Sequence, residues 1–162
     1  MMQPTGILRR TAVGVDLELT RTFRASREDV WASLTESDRT AGWYGPWERV
    51  SDNVVRVQMV FEDGKPWSEL KIDACEEPTH LAVSTSEAEG GWKLEVTLAE
   101  SDGTTTLSFV HHLTGTTSIG DIGPGWEYYL DMLVASRDHR PLPSFDRYYP
   151  AQENYYCSLV PE

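Results

Sequence analysis

Basic residues are scarce in this chain. Lysine and arginine together number 14 against 26 aspartates and glutamates, a net charge of −12. That balance excludes the basic stripe that neutralises nucleic-acid phosphates, and it disfavours anionic membrane surfaces. Long apolar runs are missing: none approaches the ~18 residues that would suggest a membrane span. Residues 1–10 lack the apolar core of a secretory signal. The two cysteines, Cys75 and Cys157, are far apart and in no metal or redox spacing. They read as reduced thiols, which is the expectation for a cytoplasmic protein. No phosphate loop, nucleophile elbow, Ser-His-Asp order or zinc spacing occurs. Those absences weigh against hydrolase and nucleotide-dependent mechanisms, and the expectation is no cofactor and no metal.

The 162 residues suit one domain able to bury a sizeable core. Hydrophobic content of 40% is ordinary, but six tryptophans are many for this length. One stretch, 118–137, organises the rest. Trp126, Tyr129, Leu130, Leu133 and Arg137 share a face at helical spacing, with Glu127, Asp131 and Ala135 opposite and Tyr128 and Met132 on a flank. Ser118 or Asp121 is placed to cap it, and Pro124, flanked by glycines, reads as a first-turn proline after a sharp turn. So large an apolar stripe needs a sheet to cover it.

The preceding chain supplies one. Residues 15–25 alternate, with Val15, Leu17, Leu19 and Phe23 on one side and Arg21 sharing that apolar side. Ser26 and Asp29 form a capping-box variant opening a short helix, and a second helix over 36–44 ends at Gly45-Pro46. Strand-like runs follow at 54–61, 67–75, 81–86, 92–99 and 105–113, separated by turn residues that imply an antiparallel meander. The last 25 residues are rich in Pro and Tyr, unlike a disordered tail, so they are expected to pack on the body. The fold class is therefore α+β: a sheet of six strands covered by helices.

Three segments resemble one superfamily. They are Phe-Arg-Ala-Ser-Arg-Glu-Asp-Val-Trp-Ala-Ser-Leu-Thr from Phe23, Gly-Trp-Tyr-Gly-Pro from Gly42, and Gly-Pro-Gly-Trp-Glu-Tyr-Tyr-Leu from Gly123. They look like the SRPBCC or START-like proteins, and within them the homologues of the activator of the heat-shock-protein-90 ATPase. The Leu107-x-Phe109-x-His111 strand and the tail from Phe145 to Pro150 are similar to bacterial members. The resemblance covers about 15–150. It implies a helix-grip fold, a seven-stranded antiparallel sheet wrapped round a long C-terminal helix, with the seventh strand near 47–50. The layout would be a flexible leader at 1–12, the START-like domain at 13–137, and a packed tail at 138–162. Relatives of this kind often hold a hydrophobic ligand between sheet and helix. Some are polyketide cyclases or aromatases, and others bind lipids, sterols or toxins.

The candidate site follows from that geometry. Trp67, Trp92, Phe109, Trp126, Tyr129, Leu130, Met132 and Leu133 are candidates to line an internal cavity, with Trp43, Tyr44 and Trp47 at its mouth. The same side chains also suit a solid core, and the face taken by Trp67 is open. His111 lies on the apolar parity of its strand, as a ligand contact, a general base or a satisfied core histidine. If the protein is an enzyme, His111 with Tyr129 and Arg21 would be the set that takes a proton and steadies an enolate. Arg21 and Arg137 could each meet an acidic ligand group, or simply pair with a carboxylate. The leading expectation is binding of a small hydrophobic or aromatic molecule without catalysis. A cofactor-free cyclase or hydrolase-like enzyme is the alternative, and a co-chaperone-like interaction module the third reading. A homodimer is compatible with all of them.

Overall fold

The computed structural model describes residues 3–160. Eight strands form one open antiparallel sheet: β1 (Ile7–Arg10), β2 (Val15–Phe23), β3 (Trp47–Ser51), β4 (Val54–Gln58), β5 (Trp67–Glu76), β6 (His80–Ser84), β7 (Lys93–Ser101) and β8 (Thr104–Leu113). Their order is β1-β2-β8-β7-β6-β5-β4-β3, so the meander from β3 to β8 closes against β2. Helices α1 (Arg27–Thr35) and α2 (Ser37–Thr40) link β2 to β3, and the long α3 (Ile119–Arg137) follows β8. A short α4 (Glu153–Ser158) ends the described chain. This is a helix-grip fold with eight strands rather than six or seven.

The added strand is β1. The stretch expected as a loose leader at 1–12 pairs Ile7 with Glu18 and Arg10 with Val15 along β2; Met1 and Met2 lie outside the described residues. The strand near residue 47 forms as β3. The run from 54 is shorter than its apolar residues suggest, because the amide of Met59 turns to the carbonyl of Pro66 at 2.7 Å. Between β7 and β8 the two loop residues Asp102 and Gly103 both take positive φ, the twist that closes a two-residue hairpin.

The start of α1 is capped by a side chain, whereas Ser118, at the N-cap of α3, makes no side-chain cap bond. Ser26 Oγ accepts from the Asp29 amide at 3.2 Å, half of the expected capping box. The Asp29 carboxylate turns instead to Arg137, at 2.7 Å, and to Arg39, at 3.2 Å. Pro124 is not a first-turn residue: α3 begins at Ile119, so the proline sits well inside the helix.

Two faces of α3 are buried, not one. Trp126, Leu130 and Leu133 are buried along one stripe and Met132 on a flank, while Glu127, turned toward Arg21 of β2, is also fully buried. Glu127 Oε1 accepts from Arg21 Nη2 at 2.9 Å and from Thr5 Oγ1 at 2.8 Å. Its Oε2 accepts from the Gly6 amide at 3.0 Å and from the Tyr156 hydroxyl. Arg21 Nε also bonds Asp131 Oδ1 at 2.9 Å, whose other oxygen accepts from Tyr148 at 2.7 Å. The inward arginine of β2 thus ties the N-terminal segment, α3 and the tail into one buried network. Burial alone would push the Glu127 carboxyl up; hydrogen bonds from Tyr156, Thr5 and Arg21 outweigh it and hold the group below the usual range.

On the outer face of the sheet, five adjacent strands carry alternating acids and imidazoles. Asp16 on β2 bonds His112 on β8 at 2.7 Å, and His112 bonds Glu95 on β7 at 2.9 Å. Glu95 bonds His80 on β6 at 2.5 Å, and His80 bonds Glu76 on β5 at 3.1 Å.

Candidate functional site: an apolar cavity beside the long helix

Inward side chains differ in burial along the sheet. Leu17, Leu19, Leu107 and Phe109, on β2 and β8, are buried in the core with α3, which packs across β2. Leu70, Ile72, Leu81 and Val83, on β5 and β6, are only half-buried. They are apolar, face the same side of the sheet, and line a cavity of about 390 Å³. The cavity exists because the helix spans one half of the sheet and leaves the other half uncovered. Its remaining walls come from Val55 and Val57 on β4, Leu94 and Val96 on β7, Trp31 and Leu34 on α1, and Trp126 and Leu130 on α3.

The segment between α1 and β3 forms the near wall. Trp43 Nε1 donates to the carbonyl of Ser33 at 2.9 Å, and Trp47 Nε1 to that of Thr35 at 3.0 Å. These bonds satisfy carbonyls near the end of α1 and fix both indoles beside the cavity. Trp126 Nε1 donates to His111 Nδ1 at 3.1 Å. Three of the four cavity indoles, those of Trp43, Trp47 and Trp126, therefore use their N–H groups inside the protein and turn ring surface to an incoming molecule. Gly45 is required here, since a Cβ would stand 1.8 Å from the Gln58 carbonyl oxygen.

Of the ligand-contact candidates, Trp43, Trp47, Phe109, Trp126 and Leu130 line this cavity, together with Tyr44. The others stand elsewhere. Met132 and Leu133 are fully buried core. Tyr129 donates its hydroxyl to Glu62 at 2.8 Å and packs edge-on against Tyr44 at 5.1 Å. Trp92 lies against His111 with ring centroids 4.7 Å apart. Trp67 takes the outer face, exposed under the Arg56 guanidinium at 4.5 Å. His111 is buried behind the cavity wall, not on it. Its pKa is pushed down to about 4 by burial, with the neighbouring His112 adding. The imidazole is thus neutral, with Nδ1 accepting from Trp126 and the proton on Nε2. His111, Tyr129 and Arg21 make no hydrogen bond to one another and are committed to different partners: Trp126, Glu62, and the carboxylates of Glu127 and Asp131.

The lining residues that the sequence reading missed are chiefly those of β4 to β7, with Trp31 and Leu34 of α1, Arg49 of β3 and Leu107 of β8. Their alternation was visible, but nothing in it says that the helix leaves them uncovered. A second hollow, also about 390 Å³, lies where α1, α2 and the end of α3 meet, lined by Asp29, Ser33, Arg39, Trp43, Leu133 and Arg137 among others. There Arg39 and Arg137 already share Asp29 and Arg137 bonds Ser33 at 2.7 Å, so those groups have little left to offer a ligand.

With this geometry in place, known proteins give a consistent picture. The sequence model described as "Activator of Hsp90 ATPase homolog 1-like protein" matches residues 24–136. The chain belongs to that family. No curated protein matches its sequence. Among solved structures, CalU16 from Micromonospora echinospora superposes on this chain with a TM-score of 0.77 at 21% identity. The match covers 99% of this chain and 98% of that one. DynU16, a putative protein in the dynemicin biosynthetic locus, gives 0.67 at 20% identity over 80% of this chain and 50% of its own. The Aha1 dimer from Colwellia psychrerythraea gives 0.61 at 17% identity, covering 75% and 94%. At these identities the likeness is one of fold. Among the described residues no helix is long and apolar enough to cross a membrane.

Proposed function

We propose that the protein binds a small hydrophobic, aromatic-bearing molecule in the cavity beside α3, without catalysing its conversion. The supporting observation is the half-burial of Leu70, Ile72, Leu81 and Val83 on a sheet face whose other half is fully covered. Apolar surface left unfilled beside four tryptophan rings is surface that a ligand would stabilise. A volume of about 390 Å³ suits a molecule of a few fused rings or a short lipid. The reading without catalysis is supported by His111, which is neutral, committed to Trp126 and behind the wall.

The test is native mass spectrometry of the protein purified from its own host, followed by titration of any retained molecule against tryptophan fluorescence. A retained apolar compound that changes the emission of the cavity tryptophans is the expected result. A clean apo mass, with emission unmoved by any aromatic or aliphatic probe, would sink the reading.

A further inference from the structure

We propose that the ligand carries an acidic group at the end nearest the cavity opening, and that Arg49 receives it. This rests on the ligand-binding reading above and adds the chemical class. Arg49 sits on β3, the last strand of the sheet, at an inward position. It pairs with Val55 as Trp47 pairs with Val57, and all four residues line the cavity. Val55 and Val57 are buried whereas Arg49 is exposed, which places it at the opening.

The guanidinium is anchored but not neutralised. Its Nη1 donates to the carbonyls of Asp52, at 2.9 Å, and Ser51, at 3.4 Å, in the turn that joins β3 to β4. Among the described residues no carboxylate lies within ion-pair distance of Arg49. Arg10, Arg24, Arg27 and Arg147 are likewise without an ion pair among the described residues, but none of them lines the cavity. Arg9, Arg21, Arg39, Arg56, Arg137 and Arg140 are each paired with a carboxylate. Neutral carbonyls hold the head in place while leaving its charge, and the Nε and Nη2 donors, for an incoming anion. An oily hollow with one fixed cation at its lip matches a molecule with an apolar body and an acidic tail.

Two carboxylate residues also line the cavity: Glu95, whose carboxylate is held by His80 and His112, and Glu77, which lies beyond the end of β5 and has no ion pair among the described residues. No hydrogen bond fixes it, so it offers an amine a weaker and more mobile partner than Arg49 offers an acid. It also repels an acid, favouring the orientation with the acid on Arg49.

Three probes with one body separate the possibilities: naphthalene-2-acetate, 2-naphthaleneethanol and 2-(2-naphthyl)ethylamine, titrated calorimetrically. The acid is expected to bind about ten-fold more tightly than the alcohol. Arg49→Gln should bring the acid to the alcohol's affinity and leave the alcohol unchanged, which also shows that the variant is folded. Equal binding of acid and alcohol to the wild type, or an acid preference that survives Arg49→Gln, overturns the role of Arg49 and leaves the cavity reading intact. Tightest binding by the amine, lost in Glu77→Gln, also overturns it. Failure of all three probes counts against the ligand-binding reading itself.

Discussion

Gly123 and Tyr156 are in such close contact that a Cβ on the glycine would stand 2.4 Å from the tyrosine ring. The glycine is within α3, where it costs helix stability, and its missing side chain is the seat of a fully buried tyrosine from the tail. Gly125, two residues on, has nothing within 4 Å of its would-be Cβ. The two should therefore respond oppositely to the same change. Gly125→Ala is expected to stabilise by up to about 1 kcal/mol. Gly123→Ala should destabilise by roughly 1–3 kcal/mol through overpacking. Urea midpoints of the two variants check this, and a stabilised Gly123→Ala would show that the tail does not dock there.

Glu127 joins four segments through one carboxylate, with Arg21 as its charged partner. Replacing it with Gln keeps the shape and removes one of the two charges that compensate a largely buried guanidinium, the other being Asp131. The expected loss is about 3 kcal/mol, the range for breaking a buried pair from one side. Proteolysis should then cut the N-terminal segment and the tail before the sheet, since both lose their anchor. Equal protection in wild type and Glu127→Gln would contradict the network's role.

His111 makes stability depend on pH from the acid side. Its folded pKa is about 4, below the ordinary value of about 6.5. Between those values the unfolded chain binds a proton that the folded one refuses. Stability from this group is complete above pH ~6.5 and is lost as pH falls toward 4, by on the order of 3 kcal/mol. His111→Gln keeps an acceptor for Trp126 and removes the titration. The gap between wild type and variant should narrow or reverse from pH 7 to pH 4.5; a constant gap would mean that the imidazole is not held neutral.

The outer ladder acts in the other direction. Its bond to Glu95 raises the pKa of His80, with Glu76 adding. Burial works against His112, but Glu95 and Asp16 together raise it. Stability from both is present below the unfolded value of ~6.5 and is lost as pH rises through the raised folded values. Glu95 is lowered by His112 and His80, so its share is present above ~4.3 and lost as pH falls through its lowered value. The window of full effect runs from ~4.3 to ~6.5. His112→Gln should lose less than about 1 kcal/mol near pH 5.5, as suits exposed pairs, and nothing by pH 9. A loss of the same size at pH 5.5 and pH 9, or one insensitive to salt, would show that packing rather than charge is at stake.

Much of this molecule is readable from local pattern. Alternation in β2, β7 and β8 and the helical spacing of Trp126, Leu130 and Leu133 reflect which side chains share a face, a property of the backbone repeat. The Asp102-Gly103 hairpin likewise follows from φ preferences alone. Coverage does not follow from any local repeat. Glu127 reads as a solvent-facing acid until residues more than a hundred positions away, Thr5 and Arg21, are brought against it. His111 and Leu107 share a parity with Phe109, yet only Leu107 and Phe109 reach the cavity. Leu81 and Leu17 look alike on paper. One borders an open hollow and the other is sealed, because a rigid helix laid along one half of a wide sheet cannot also cover the rest.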